Sequence, residues 1–214
     1  MGTKRKVGIL GGTFDPIHNA HLKLGQEALR LFGLEQIVFM PTGNSYFKTR
    51  KGHAVTATED RAAMVRLAIA PEKNFVFSDR EITRPGETYT ADTLAELAKE
   101  QPDTEFYFIV GADSIHHMDT WYAPEIIFQN ATILAANRNA QVSDEELARD
   151  IKRLENAYGA RILPLNFESL DISSSEIRHL LESGMPEMIP VPAAVLSYIQ
   201  EHHLYLEEGV EAGE

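Results

Sequence analysis

The residues best suited to chemistry lie just after the first apolar segment, residues 7–10. Gly11 and Gly12 follow this segment directly, and two histidines, His18 and His21, come shortly afterwards. Paired glycines allow a tight turn and let the backbone approach a ligand closely. A helix predicted after this loop would direct its positive dipole end and its exposed N–H groups at the turn, which favours phosphate.

The two histidines support phosphate binding only when they are considered together with the glycine turn before them. His18 and His21 are three residues apart, so in a helix both imidazoles lie on one face and could donate hydrogen bonds to one phosphate. Alone, such a pair is more often a surface or packing feature, and a metal site lacks an evident third ligand. The loop has neither the Gly-Lys-Ser/Thr of a Walker A motif nor the Gly-x-Gly-x-x-Gly of dinucleotide-binding folds.

A second polar cluster lies at residues 172–178, Ile-Ser-Ser-Ser-Glu-Ile-Arg. Ser173 and Glu176 form a predicted capping box, and hydroxyl and N–H groups at a helix start make a nest for anions. Arg178 lies one turn further on with a planar, permanently charged guanidinium. By itself the segment is more simply a capped helix with a surface arginine. Beside the first loop it indicates a second phosphate-binding element.

The sequence alternates between strand-like and helix-like segments, and these elements must bring the first loop and residues 172–178 together. Apolar runs typical of buried strands occur at residues 7–10, 37–40, 75–77, 106–110, 131–136 and 161–165. Helical spacing occurs at residues 20–32, 90–99 and 191–202, and a further helix is predicted to begin near residue 58. Capping boxes at residues 143–146 and 173–176 predict the start of two more helices. The alternation predicts an α/β fold with a Rossmann-like, doubly wound, mostly parallel sheet and helices on both faces. Such sheets bind ligands at the carboxyl ends of the strands.

Length and composition suit one globular domain. The chain has 214 residues, of which 43% are hydrophobic. We expect a single domain over residues 1–206 and a frayed acidic tail at residues 207–214. The net charge of −12 argues against nucleic-acid binding but is compatible with a small anionic ligand. No cysteine is present, which excludes disulfides and thiolate metal sites.

The sequence also allows a prediction of the cellular compartment. No apolar run approaches the roughly 20 residues of a membrane span. The basic start, residues 4–6, precedes an apolar run that is too short for a signal peptide. We therefore expect a cytoplasmic protein without a membrane partner. The sequence leaves open whether the chain forms a homo-oligomer.

Both polar clusters match a known pattern. Residues 11–22 closely resemble the signature of the nucleotidyltransferase superfamily with the His-x-Gly-His type motif, with Ala20 at the position of the glycine. Residues 172–178 resemble its second motif, with Ser175 at the position of a threonine. Nearly the whole chain is similar to the bacterial nicotinate-nucleotide adenylyltransferases, chiefly at residues 41–44, 87–94, 109–114, 120–122 and 189–205.

The resemblance implies transfer of AMP from ATP to nicotinate mononucleotide, with Mg²⁺ arriving on ATP and no dedicated metal ligand from the protein. It places catalysis on His18, His21, Lys48 and Arg178. It assigns ATP binding to Gly11, Gly12, Thr13, Phe14, His18, His21, Gly111, Asp113, Arg138, Ile172, Ser174, Ser175 and Arg178. It assigns acceptor binding to Thr13, Lys48, Thr90, Asp113, Trp121 and Tyr122.

Physical chemistry agrees with the implied acceptor. Trp121, the only tryptophan, offers a flat face for a pyridine ring, although core or lid packing is its ordinary role. In the family, main-chain N–H groups at the positions of Thr90 and Tyr122 receive the nicotinate carboxylate. An N–H donor suits a carboxylate better than a carboxamide nitrogen, which is itself a donor. Asp113 follows the fourth predicted strand, so it either contacts substrate or caps a helix.

Two places depart from the family pattern. In the polar segment at residues 41–57, which predicts a long loop, Phe47 stands at the position of a histidine. Lys48 keeps the positive charge there, either as a phosphate ligand assisted by neighbouring basic residues or as part of a solvated basic loop. Arg138 lacks the usual following proline, and we expect it to lie against adenine.

Two alternatives are compatible with the sequence. One is an adenylyltransferase for another acceptor, nicotinamide mononucleotide or pantetheine phosphate, and the other is a non-catalytic nucleotide-binding sensor. The presence of both histidines and of Arg178 argues against lost catalysis. Because the acceptor phosphate is already an anion at neutral pH, we expect direct in-line displacement at the α-phosphorus without a general base.

Overall fold

The computed structural model describes residues 4–45, 55–138, 142–168, 171–185 and 189–205. Its main sheet contains β1 (Arg5–Gly12), β2 (Gln36–Pro41), β4 (Phe75–Phe77), β6 (Thr104–Gly111), β7 (Thr132–Arg138) and β8 (Ile162–Phe167). These strands are all parallel and lie in the order β4-β2-β1-β6-β7-β8. A separate parallel ribbon pairs β3 (Asn44–Ser45) with β5 (Glu87–Thr88).

Helices follow most of the strands. They are α1 (Asn19–Phe32), α2 (Thr58–Ile69), α3 (Arg80–Thr83), α4 (Thr90–Glu100), α5 (Ala112–Ile115), α6 (Pro124–Asn130), α7 (Asp144–Tyr158), α8 (Ser174–Glu182) and α9 (Ala193–Glu201). A 3₁₀ turn, Met118–Thr120, follows α5. None of the helices in the described ranges has the length and apolar character needed to cross a membrane.

The main sheet separates two hydrophobic cores. Alternate residues of β6 point to opposite faces: Tyr107 and Ile109 join one core, and Phe108 and Val110 join the other. Residues of α1, α2, α8 and α9 complete the first core, and residues of α4, α6 and α7 complete the second. Because both faces are covered, the central strands are continuous apolar runs rather than alternating ones.

The sheet reverses its direction of winding between β1 and β6. From β1 the chain adds β2 and β4 on one side, and it then returns to add β6, β7 and β8 on the other. Leu10 lies opposite Ile109, so the carboxyl ends of the two central strands are side by side. The crevice at such a reversal is the usual ligand site of a doubly wound sheet.

The predicted fold class is confirmed, and each predicted strand corresponds to a strand of the main sheet. Both predicted capping boxes are present: Ser143 Oγ accepts from the Glu146 N–H at 3.3 Å, and Ser173 Oγ accepts from the Glu176 N–H at 3.2 Å. The sequence patterns did not predict the β3–β5 ribbon, because strands of two residues have no periodicity. The predicted tail, residues 207–214, lies outside the described residues.

Gly43 allows the chain after β2 to pass close to α3. A Cβ atom at Gly43 would lie 2.4 Å from the main-chain oxygen of Glu81, which cannot move without shifting the backbone of α3. We therefore expect Gly43→Ala to lower the free energy of unfolding by about 2 kcal/mol, measured by urea denaturation.

Gly11→Ala is the matched control for this substitution. Among the described residues, a Cβ atom at Gly11 would approach the Phe108 ring at 3.6 Å, which is an ordinary van der Waals contact. The free energy of unfolding should then change by less than about 0.5 kcal/mol. Equal losses in the two variants would contradict a steric cause at Gly43.

Candidate active site

The first loop, residues 13–18, connects β1 to α1 at the reversal of the sheet. Phe14 is fully buried beneath it, with its ring centroid 6.0 Å from that of Phe39 and 5.1 Å from that of His21. Its φ of 50° is in the left-handed region, which is uncommon for a residue with a side chain. The next peptide bond, Asp15–Pro16, is cis. Core packing of Phe14 thus helps to fix an irregular backbone.

The structure brings the two predicted histidines together at the start of α1. Their ring centroids are 3.8 Å apart, and His18 is only 3% exposed whereas His21 is half-buried. The main-chain N–H of His18 donates to Nδ1 of His21 at 3.3 Å. In a neutral His21 the proton must then be on Nε2, so Nε2 is a hydrogen-bond donor. Both rings lie at the positive end of the α1 dipole, where an anion is favoured.

The second motif packs directly against the first loop. Ser174 Oγ donates to the carbonyl oxygen of Pro16 at 3.0 Å, and Arg178 Nη1 donates to the carbonyl oxygen of Asp15 at 2.7 Å. Arg178 Nη2 donates to Ser175 Oγ at 3.3 Å, which leaves the Ser175 hydroxyl proton for another acceptor. Because the Ser174 hydroxyl proton is used by the loop, Ser174 would bind an anion through its main-chain N–H at the start of α8.

Arg61 of α2 lies buried beside the same loop, and the sequence analysis did not include it in the site. Its Nη1 donates to the carbonyl oxygens of Thr13 at 2.8 Å and Thr42 at 3.0 Å, and its Nε donates to that of Thr56 at 3.1 Å. It therefore connects the chain leaving β1 to the chain leaving β2. Burial lowers the pKa of Arg61, and the nearby Asp15 carboxylate opposes this shift. An arginine among the apolar residues of a predicted helix was the signal that could have identified it.

Gly111 and Asp113 lie at the carboxyl end of β6, next to the end of β1. Gly111 is the N-cap residue of α5, and Asp113 is in the first turn of that helix. A Cβ atom at Gly111 would lie 2.3 Å from Oδ1 of Asp113, so the carboxylate folds back over the glycine. Asp113 is exposed and does not occupy the N-cap position, which leaves its carboxylate facing solvent at the crevice.

Three of the six predicted acceptor residues also lie close together. Tyr89, directly before Thr90, places its ring 4.5 Å from the ring of Tyr122. Trp121 is half-buried, with its ring edge-on at 6.4 Å from Phe108 of β6. Thr90 is the first residue of α4, so the hydrogen bonds of the helix do not use its N–H. Thr90, Trp121 and Tyr122 are thus neighbours, as an acceptor site built from them requires.

A buried carboxyl group fixes the start of α4 against α3. Glu81 Oε1 accepts a hydrogen bond from Thr93 Oγ1 at 3.0 Å, and Arg84 Nη1 donates to the same hydroxyl at 2.9 Å. Burial raises the pKa of Glu81, whereas the Thr93 hydrogen bond and the Arg84 charge oppose the shift. This network holds the first turn of α4 in place.

Part of the predicted site is not described by the structure. Residues 47–51, which include Phe47 and Lys48, lie outside the described residues. Arg138 ends β7, but its side chain is likewise outside the described set. Ile172 is described, and it is half-buried against the first core.

Comparison with known proteins assigns this site to a family. The cytidylyltransferase-like family matches residues 9–180. A probable nicotinate-nucleotide adenylyltransferase from Lachnoclostridium phytofermentans is 42% identical over 202 residues, which cover 94% of this chain and 100% of that protein. One from Dehalococcoides mccartyi is 42% identical over 203 residues, covering 94% and 97% of the two chains. The chain belongs to the nicotinate-nucleotide adenylyltransferase family.

Solved structures share the fold of this nicotinate-nucleotide adenylyltransferase family member. Nicotinic acid mononucleotide adenylyltransferase of Plasmodium falciparum, complexed with NaAD, matches with a TM-score of 0.76 and 21% identity, covering 94% of this chain and 97% of that one. The same enzyme complexed with APC matches with a TM-score of 0.74 over the same shares. Identity at this level shows the fold alone, and that fold is the doubly wound sheet described above.

Gly11→Ala separates a role in folding from a role in binding. Gly11 is exposed at the end of β1, and the described residues leave room for a methyl group there. A nucleotide phosphate that approaches the main chain would meet this methyl group, so we expect the affinity for ATP to fall about tenfold in titration calorimetry. Unchanged affinity would show that the nucleotide does not approach Gly11.

Proposed function

We propose that this chain transfers AMP from ATP to nicotinate mononucleotide, giving nicotinate adenine dinucleotide and pyrophosphate in NAD biosynthesis. The observation that carries the proposal is the contact between the two motifs. Ser174 and Arg178 donate hydrogen bonds to the loop that leads into His18 and His21, at the reversal of a doubly wound sheet. The names of the relatives and of the solved neighbour support the choice of acceptor.

ATP lies along the first loop in this proposal. Its phosphates pass close to the main chain of Gly11 and Gly12 and accept hydrogen bonds from His18 and His21, at the positive end of α1. Arg178 and the start of α8 approach the phosphates from the second motif, and a guanidinium is well suited to bidentate phosphate binding. The remaining ATP-binding residues of this proposal are Gly111, Asp113, Arg138, Ile172, Ser174 and Ser175, together with the main chain of Phe14, whose ring is buried beneath the loop.

The reaction is an in-line displacement. An oxygen of the acceptor 5′-phosphate bonds to the α-phosphorus of ATP, and the bond to the bridging oxygen of pyrophosphate breaks. Since the nucleophile is already an anion, the protein contributes alignment and charge neutralisation through His18, His21, Lys48 and Arg178 rather than a general base.

In this proposal Mg²⁺ is bound by ATP rather than by a dedicated protein site. Among the described residues, no group of three His, Asp or Glu side chains is placed to hold a metal ion. In this proposal Mg²⁺ binds the phosphate oxygens of ATP, which are ligands that it prefers, and neutralises part of their charge. Lys48 and Arg178 supply the remaining positive charge, and His18 and His21 supply hydrogen bonds.

The acceptor lies on the β6 side of the crevice. Trp121 stacks on the pyridine ring, and the N–H groups of Thr90 and Tyr122 donate to the nicotinate carboxylate. A carboxamide can turn only one acceptor atom toward two such donors, so nicotinamide mononucleotide binds less well. Thr13, Asp113 and Lys48 complete the acceptor site around the ribose phosphate.

Release of pyrophosphate tests the reaction and the acceptor together. With ATP and Mg²⁺, we expect kcat/KM for nicotinate mononucleotide to exceed that for nicotinamide mononucleotide by at least about tenfold. Pantetheine phosphate should give only background, and EDTA should stop the reaction. Faster pyrophosphate release with another acceptor would identify that acceptor as the substrate. ATP binding without pyrophosphate release for any acceptor would favour a nucleotide-binding sensor.

Loss of either loop histidine should slow the reaction without unfolding the protein. Each imidazole donates to charge that develops in the transition state, so His18→Ala and His21→Ala should each lower kcat about a hundredfold. His179→Ala on α8 is the matched control, because its side chain is 80% exposed and points to solvent. Near-normal kcat in both loop variants would contradict the catalytic assignment.

A further inference from the structure

Tyr205, which follows α9, contacts the first loop from the far end of the chain. Its hydroxyl donates to Oδ1 of Asp15 at 2.7 Å, and Asp15 is only 5% exposed. The backbone reaches this position through two left-handed residues, His203 and Tyr205, with φ of 51° and 62°. Such angles are uncommon for residues with a side chain, and strained backbone of this kind persists where surrounding contacts hold it. The turn thus directs the phenol back onto the loop.

Asp15 is the point at which several elements meet. Its Oδ2 accepts from the main-chain N–H of Thr56 at 3.3 Å, and its carbonyl oxygen accepts from Arg178 Nη1 at 2.7 Å. A buried carboxylate needs such donors, because an unsatisfied charged oxygen in the interior is costly. Burial and the Asp15 charge raise the pKa of Tyr205, so its hydroxyl keeps its proton and acts as the donor.

We propose that Tyr205 is a positioning residue for nucleotidyl transfer: its hydroxyl fixes Asp15, and the Asp15 carbonyl in turn directs the guanidinium of Arg178 toward the nucleotide phosphates. This inference rests on the proposed function for the role of Arg178 at the phosphates. It adds a residue from the segment after α9 that neither motif contains. Tyr205 itself does not touch the reacting atoms.

Tyr205→Phe removes the hydroxyl and keeps the ring. Since small displacements of an aligned charge reduce the rate more than they reduce substrate binding, we expect kcat to fall about tenfold while KM for ATP changes less than about threefold. A kcat within twofold of the unmodified protein would overturn the proposal.

Tyr198→Phe is the matched control. Tyr198 of α9 makes the same kind of contact, donating its hydroxyl to Oδ1 of Asp60 at 2.8 Å, but on α2 rather than on the loop. Both variants lose one phenol–carboxylate hydrogen bond, and Tyr205→Phe should have the lower thermal midpoint because Asp15 is buried whereas Asp60 is only half-buried. The kcat of Tyr198→Phe should nevertheless stay within about twofold. An equal loss of kcat in the two variants would assign the effect to C-terminal packing and overturn the proposal.

A double variant tests whether Tyr205 acts through Arg178. If it does, Tyr205→Phe combined with Arg178→Ala should be no slower than Arg178→Ala alone, within about twofold. An additional tenfold loss in the double variant would mean that the two residues act independently, which would overturn the proposal.

The unmodified protein, Tyr205→Phe, Arg178→Ala and the double variant together separate this inference from the proposed function. Absence of pyrophosphate release from the unmodified protein with every acceptor would reject the proposed function. The dissociation constant of Mg-ATP, measured by calorimetry without acceptor, would still report the coupling between Tyr205 and Arg178. Tyr205→Phe should weaken Mg-ATP binding about two- to threefold in the unmodified background and not at all beside Arg178→Ala, whereas an equal effect, or none, in both backgrounds would reject the coupling.

Discussion

An irregular loop that is partly buried must find hydrogen-bond donors for carbonyl groups that no strand or helix satisfies. Leaving one such group without a partner costs about 1–3 kcal/mol. In the first loop the carbonyl oxygens of Thr13, Asp15 and Pro16 accept from Arg61, Arg178 and Ser174. Because two of these donors belong to the second motif, the hydrogen bonds that stabilise the loop also assemble the site. Folding and function therefore depend on the same contacts.

The parallel sheet supplies the second constraint. Its winding reverses between β1 and β6, so the loops after these strands diverge and leave a crevice between them. The proposed sites for the ATP phosphates and for the acceptor lie on opposite sides of this crevice. The two histidines follow β1, and the second motif packs against the same loop. The aromatic acceptor residues lie on the side of β6, where Trp121 contacts Phe108. The reacting phosphates would then meet above the ends of the two central strands.

The sequence predicted those features whose signals are local. Apolar runs predicted the strands, and Ser-x-x-Glu spacing predicted the helix N-caps at Ser143 and Ser173. The interactions of Arg61 and the Asp15–Tyr205 hydrogen bond join residues far apart in the chain, and no spacing rule reports them. The roles of individual site residues, the single domain over residues 1–206, the cytoplasmic location and the absence of nucleic-acid binding stay predictions.

Arg178 shows why the second motif calls for arginine rather than for any cation. A guanidinium has five N–H donors in one plane, and among the described residues Arg178 directs Nη1 to Asp15 and Nη2 to Ser175. Three N–H groups are then available for phosphate oxygens, in an orientation that the protein contacts have already set. A lysine ammonium has only three donors at a single point, so it could not hold the loop and bind phosphate along separate directions. The same planar group can therefore support the loop and present charge to the nucleotide.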